Sequence, residues 1–87
     1  MKLDAAFIEQ VKGPIYQVWN VIGNDVMQMD QECGERTTNS SAMEMCLDAS
    51  RLSTNGYKEA DKAVMDAIKE HGYGKVSKHL CKHIKLN

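Results

Sequence analysis

The first third of the chain carries apolar residues at intervals of three and four, which is the spacing of one face of an α-helix. After the single proline, Pro14, the residues with this spacing are Ile15, Val18, Trp19, Ile22, Val26 and Met29. At 100° per residue they fall within a stripe about 100° wide, so this segment is predicted to form an amphipathic helix. A strand over residues 15–22 is the alternative interpretation, because several of these residues are β-branched, but strict alternation is absent.

A shorter apolar pattern precedes Pro14, and its members are Phe7, Ile8 and Val11. Asp4 is placed to cap its first turn. Continued through Gly13-Pro14, the pattern falls on or beside the same stripe, which predicts either two helices or one helix kinked at this junction. A straight helix over residues 4–32 would be about 43 Å long. A compact chain of this size is about 30 Å across, so we expect a sharp bend or projection into a partner subunit.

Three further helices are predicted downstream. The first covers residues 42–52, follows a loop at 34–41, and has as its main stripe Ala42, Met45, Cys46, Ala49 and Leu52. The second covers residues 57–71 after a turn at 53–56, in which Thr54 or Asn55 is placed to cap it. Gly72 is typical of a helix end, and the last helix covers residues 75–86 with an apolar line of Val76, Leu80 and Ile84. The predicted fold is all-α, a compact bundle of four or five short helices.

Length and composition narrow the classes of protein to be considered. A chain of 87 residues buries about two thirds of its surface on folding, which supports one core and a single domain over residues 1–87. The net charge of -1 excludes a polycation, so any contact with nucleic acid must be local. No run of 18 apolar residues occurs, and the three cysteines are irregularly spaced. We therefore expect a cytoplasmic protein with reduced thiols, without a membrane span or secretory signal.

Several apolar residues project off the main stripes of their helices. They are Tyr16, Val21, Met27, Met43 and Leu47. Such residues predict an adaptable partner-binding surface, although a subunit interface or an additional wall of the core is the alternative. An acidic stretch accompanies them and includes Asp25, Asp30, Glu32, Glu35, Glu44 and Asp48. We include Glu32 and Glu35 in the predicted partner-binding site, because an acidic surface pairs with a basic partner or with a second copy of the chain.

The last predicted helix is basic. Its lysines are Lys75, Lys78, Lys82 and Lys85, and no acidic residue follows Glu70. The four lysines project within about 80° of one another, and the backbone N–H groups at Gly74 and Lys75 add a possible anion site. This pattern predicts contact with nucleic-acid or nucleotide phosphates, or a solvated face. Because the predicted helix lacks arginine and exposed aromatic residues, sequence-specific recognition is not expected.

Other candidate chemistry is incomplete. His79 and His83 have the i, i+4 spacing of a metal-binding pair, but no glutamate stands between them and Cys81 projects about 160° away. All-α nucleotide pyrophosphatases hold magnesium with the pattern Glu-x-x-Glu followed by Glu-x-x-Asp. Glu32 and Glu35 resemble the first pair, whereas Asp48 falls one position too late after Glu44 to match the second. Cys33 lies among acids, which should raise its pKa, and Cys46 lies on a core stripe. No catalytic residue, metal or cofactor is predicted.

Three hypotheses follow. The leading one is a small non-enzymatic helical binding protein, a homodimer or higher oligomer that regulates or inhibits a larger protein. Compact phage accessory proteins, including those that disable host defences, are of this type. The first alternative is a nucleic-acid or nucleotide-phosphate binder that uses the lysines of the last helix. The second alternative is a metal-dependent hydrolase.

Overall fold

The computed structural model describes the backbone of residues 2–33 and 39–86, and the side chains of residues 2–22 and 42–86. Its helices are α1 (Ala5–Cys33), α2 (Asn39–Cys46), α3 (Ala49–Thr54), α4 (Lys58–His71) and α5 (Tyr73–His83). No strand occurs in these ranges. The prediction of an all-α bundle is confirmed.

The two segments at the start of the chain form a single helix, α1, which continues through Pro14. The Oδ1 atom of Asp4 accepts a hydrogen bond from the Phe7 backbone N–H at 3.1 Å, so Asp4 caps the first turn as predicted. A straight helix of this length measures about 43 Å, and the fold extends over 39 × 24 × 19 Å. The radius of gyration is 12.6 Å, so the fold is compact, and its longest dimension accommodates α1.

The predicted helix over residues 42–52 is divided into two. α2 ends at Cys46 and α3 begins at Ala49, with Asp48 between them as the N-cap of α3. The Asp48 Oδ1 atom accepts hydrogen bonds from the Ser50 backbone N–H at 3.0 Å and from the Ser50 hydroxyl at 2.7 Å. An aspartate that satisfies the first N–H groups of a new helix favours this break over a continuous helix.

α3 ends in a Schellman motif. The Gly56 N–H donates to the Ser53 carbonyl at 3.1 Å, and the Tyr57 N–H donates to the Leu52 carbonyl at 3.0 Å. Gly56 has a φ of 86°, the left-handed conformation that this motif requires and that glycine adopts without strain. The predicted cap of α4 is wrong: Thr54 is the last residue of α3, and Asn55 caps its C-terminal end.

A single residue, Gly72, joins α4 to α5. Its φ of 90° turns the chain, and its N–H donates to the Ile68 carbonyl at 2.8 Å. α5 begins two residues earlier than predicted and ends at His83, after which Ile84 is extended. The helix end predicted at Gly72 is confirmed, whereas the last helix does not reach residue 86.

The core lies between α1 and the other helices. α1 packs against α2, α3 and α4, while α5 packs against α2 and α4. The buried apolar side chains are Phe7, Ile8, Val11, Ile15, Val18, Ile22, Ala42, Met43, Cys46, Leu47, Leu52, Ala60, Ala63, Val64, Ala67, Val76, Leu80, Ile84 and Leu86. Within the described ranges, no helix has both the length and the apolar content needed to cross a bilayer.

Two glycine substitutions are expected to change stability in opposite directions. Gly56→Ala forces a side chain into a left-handed conformation and should lower the free energy of unfolding by about 1–2 kcal/mol. Gly74→Ala places a better helix former in the first turn of α5, where no atom beyond its chain neighbours and its own helix backbone lies within 4 Å of the added Cβ atom, and should raise it by about 0.5 kcal/mol. Urea denaturation of both variants measures the difference, and equal effects would contradict the assigned turn.

Candidate functional site

Two residues of the predicted partner-binding surface lie in the core. Met43 is 0% exposed and Leu47 is 2% exposed. The reason is the position of α2, which packs against both α1 and α5, so that its second apolar face is covered by the protein's own helices. The prediction of an adaptable surface at Met43 and Leu47 is therefore wrong, and the alternative of an additional core wall is correct.

The other apolar members of that surface are separated. Tyr16 is 38% exposed and Val21 is 63% exposed, but they lie about 140° apart around the axis of α1. Isolated exposed apolar residues are ordinary on protein surfaces and form no patch. The side chains of Met27, Glu32 and Glu35 lie outside the described residues.

The basic face of α5 consists of Lys75, Lys78 and Lys82, all of which are exposed. They lie within about 60° of one another, and the centre of the face is about 130° from the buried Val76 and about 170° from the buried Leu80. Within the described part of the chain, none of the three lysines forms an ion pair or a hydrogen bond. Three positive charges are therefore presented together to solvent.

The two remaining members of the predicted phosphate site are placed differently. Lys85 is exposed but lies beyond the end of α5, so it does not extend the basic face along the same helix. Gly74 is the second residue of α5 rather than part of a junction before it. Its N–H belongs to the first turn, whose N–H groups point towards the start of the helix. The predicted stripe of four lysines on one helix is thus corrected to three.

The charge pattern of α5 differs from that of α4, which precedes it. Exposed and half-buried residues of both signs alternate along α4; its lysines are Lys58, Lys62 and Lys69, and its acids are Glu59, Asp61, Asp66 and Glu70. α5 contains no acidic residue. Since opposite charges along α4 offset one another, the positive potential is concentrated at α5.

A cleft of about 350 Å³ separates the start of α1 from the second half of α5. It is lined by Asp4, Ile8, Glu9, Lys12, His79 and His83, among others. The Lys12 Nζ atom lies 2.9 Å from Glu9 Oε1, and this hydrogen bond raises the pKa of Lys12. The histidines were recognised from their spacing. The residues of α1 opposite them were missed, because only tertiary packing brings the two helices together.

The rings of His79 and His83 are in contact in a tilted arrangement, with centroids 4.7 Å apart. The Nε2 atom of His79 is buried and has no hydrogen-bond partner among the described residues. Burial, together with the charges of His83 and Lys82, lowers the pKa of His79. A lowered pKa favours the neutral imidazole, which retains a lone pair that can bind a ligand.

Of the four acidic residues considered for a hydrolase, the structure describes the side chains of Glu44 and Asp48. Glu44 and Asp48 are exposed, and Asp48 uses one carboxylate oxygen to cap α3. The hydrogen bonds from Ser50 lower the pKa of Asp48. Among the described residues, no three metal-binding side chains lie close enough to hold an ion together.

Cys46 is a core residue, as the sequence predicts. Its Sγ atom lies 3.9 Å from the Ile15 carbonyl oxygen, and burial raises the pKa of the Cys46 thiol to about 12. A buried thiol with a raised pKa is a poor nucleophile, because only the thiolate reacts. Cys46 therefore contributes to packing between α1 and α2.

Comparisons with protein-family models, with curated proteins and with solved structures find no match to this chain. The function must therefore be inferred from the surfaces and side chains described above.

The burial of Met43 can be tested by truncation. Met43→Ala should lower the free energy of unfolding by about 2–5 kcal/mol, because it leaves a cavity in the core. Val21→Ala, at an exposed position of α1, should change it by less than about 0.5 kcal/mol. Urea denaturation monitored by circular dichroism measures both values. A small effect of Met43→Ala would contradict its placement between α1 and α5.

The environment of Cys46 predicts protection from alkylation. With a pKa of about 12, only about one thiol in ten thousand is ionised at pH 8. Iodoacetamide should therefore label Cys46 in urea and leave it unmodified in the folded protein, as measured by peptide mass spectrometry. Because the thiol ionises more readily in the unfolded chain, stability should also decline as the pH rises above about 9. Equal labelling with and without urea would contradict burial of the thiol.

Proposed function

We propose that this protein is a small non-enzymatic binding protein that recognises an acidic surface on a larger protein through the basic face of α5. The observation that carries the proposal is the exposure of Lys75, Lys78 and Lys82 on one side of a helix, without compensating acids on that helix. Complementary charge accelerates and orients association. Regulation or inhibition of the partner is the expected consequence of such binding.

The composition of the basic face favours a protein partner. The face contains lysine but neither arginine nor tryptophan, whereas base recognition relies on bidentate arginine contacts and stacking on aromatic rings. Lysine ammonium groups on flexible stems act as point charges that suit carboxylates in varied positions.

A second copy of the chain is one acidic partner that the structure itself supplies. Glu44 and Asp48 are exposed near the junction of α2 and α3. They lie beside Tyr73 at the start of α5, on the side of that helix away from the three lysines. Contact between these acids and the α5 lysines of another copy gives head-to-tail association. Such contact should weaken as salt rises, because exposed charges are screened, and sedimentation velocity at low and high salt measures it.

Charge reversal on α5 tests the proposal. The double variant Lys78→Glu/Lys82→Glu should lose a partner captured from cells that naturally express the protein, because it replaces two attractive charges with repulsive ones. Quantitative mass spectrometry of the captured proteins provides the measurement. The proposal predicts that the partner is an acidic protein and that capture decreases with salt.

Lys58→Glu/Lys62→Glu is the matched control. These lysines are also exposed and also four residues apart, but they lie on α4 among acids. The control variant should retain the partner. Equal capture by both double variants and the wild-type protein would show that the basic face of α5 is not the binding surface.

Nucleic acid is the second candidate partner, and the same three unpaired lysines favour it. With three phosphate contacts, the logarithm of the association constant should fall with the logarithm of the salt concentration with a slope of about -2.7. Binding through so few contacts is weak and has no sequence preference. Fluorescence anisotropy with DNA and RNA oligonucleotides at low salt tests this alternative. Binding that is lost in Lys78→Glu/Lys82→Glu would favour nucleic acid over an acidic protein.

A further inference from the structure

The two histidines of α5 have the separation of a metal chelate. At a metal–nitrogen distance of about 2.0–2.1 Å, two imidazoles on one ion have ring centroids about 4.5–5.2 Å apart for ligand angles of about 90–110°. The centroids of His79 and His83 are 4.7 Å apart and the rings are tilted by 51°. The separation of the two rings therefore matches that of two imidazoles on one ion.

The buried nitrogen of His79 supplies an independent observation. A buried polar atom without a hydrogen-bond partner is unfavourable, and such atoms in folded proteins generally require an explanation such as a bound ion or water. The Nε2 atom of His79 is in this condition, and the ring lines a cleft of about 350 Å³. The cleft has room for a hydrated ion beside the ring.

The charged residues that lie opposite the two histidines in the cleft belong to the start of the chain. Asp4 and Glu9 contribute carboxylates to the lining, while Lys12 contributes one positive charge and is paired with Glu9. On α5, Lys82 lies between the histidines in sequence but is exposed. The carboxylates offset the lysines, so a divalent cation can enter the cleft.

The geometry points to a binding site for a divalent transition-metal ion of the zinc class, in which His79 and His83 are the protein ligands. Imidazole ligands suit zinc, copper and nickel rather than magnesium or calcium. Because no set of three ligating side chains lies together among the described residues, water occupies the other coordination positions. This site borders the basic face of α5 but uses none of its three lysines, and it does not rest on the proposed function.

Titration of the full chain with zinc chloride tests the site. Isothermal titration calorimetry near pH 7.5 should show one zinc ion bound per chain. His83→Gln should weaken zinc binding about tenfold or more, because it removes one of the two protein ligands. His79→Gln should weaken it for the same reason. His83 is exposed, so its substitution leaves the core intact even where replacement of His79 affects folding. Nitrogen chemical shifts of both rings should move together on addition of zinc.

Two control variants separate this site from other zinc ligands. His71→Gln, at the end of α4, and Cys81→Ser, on another face of α5, should bind zinc as the wild-type protein does. The inference is overturned if the wild-type chain binds no zinc at concentrations up to about 1 mM. It is also overturned if both His79→Gln and His83→Gln bind normally, or if Cys81→Ser abolishes binding.

Discussion

The continuous apolar stripe of α1 is the constraint on which the rest of the fold depends. Val11, Ile15 and Val18 are fully buried along it, and α2, α3 and α4 all pack against this helix. Pro14 lies within α1 and removes one backbone hydrogen bond. Because the stripe has residues on both sides of Pro14, packing against three other helices compensates for the lost bond. The first two predicted segments therefore behave as one structural element.

The position of α2 explains why part of the predicted binding surface is buried. The sequence shows two apolar faces on residues 42–52, and a helical pattern alone does not say what covers the second face. In the structure, α1 covers one side and α5 the other. After the break at Asp48, Leu52 enters the core from α3. Helical periodicity predicted the apolar residues of α1 and α5 that enter the core, but the partners of each face depend on tertiary packing.

The charged surface of α5 follows from the same packing. Val76 and Leu80 fix the side of the helix that enters the core, and the spacing of Lys75, Lys78 and Lys82 then places them on the opposite side. This part of the candidate site was predictable from sequence, because it depends on a single helix. The cleft beside His79 was not predictable, since it exists only where the start of α1 approaches α5.

The end of α5 shows how a single apolar residue can limit a charged surface. Continued as a helix, the chain would point Leu86 about 160° away from Ile84, towards solvent. Instead Ile84 is extended, and both Ile84 and Leu86 are buried. Burial of a leucine side chain contributes about 2 kcal/mol, which favours the extended end over a further helical turn. Lys85 leaves the helix for this reason, and the basic face of α5 is limited to the three lysines that precede His83.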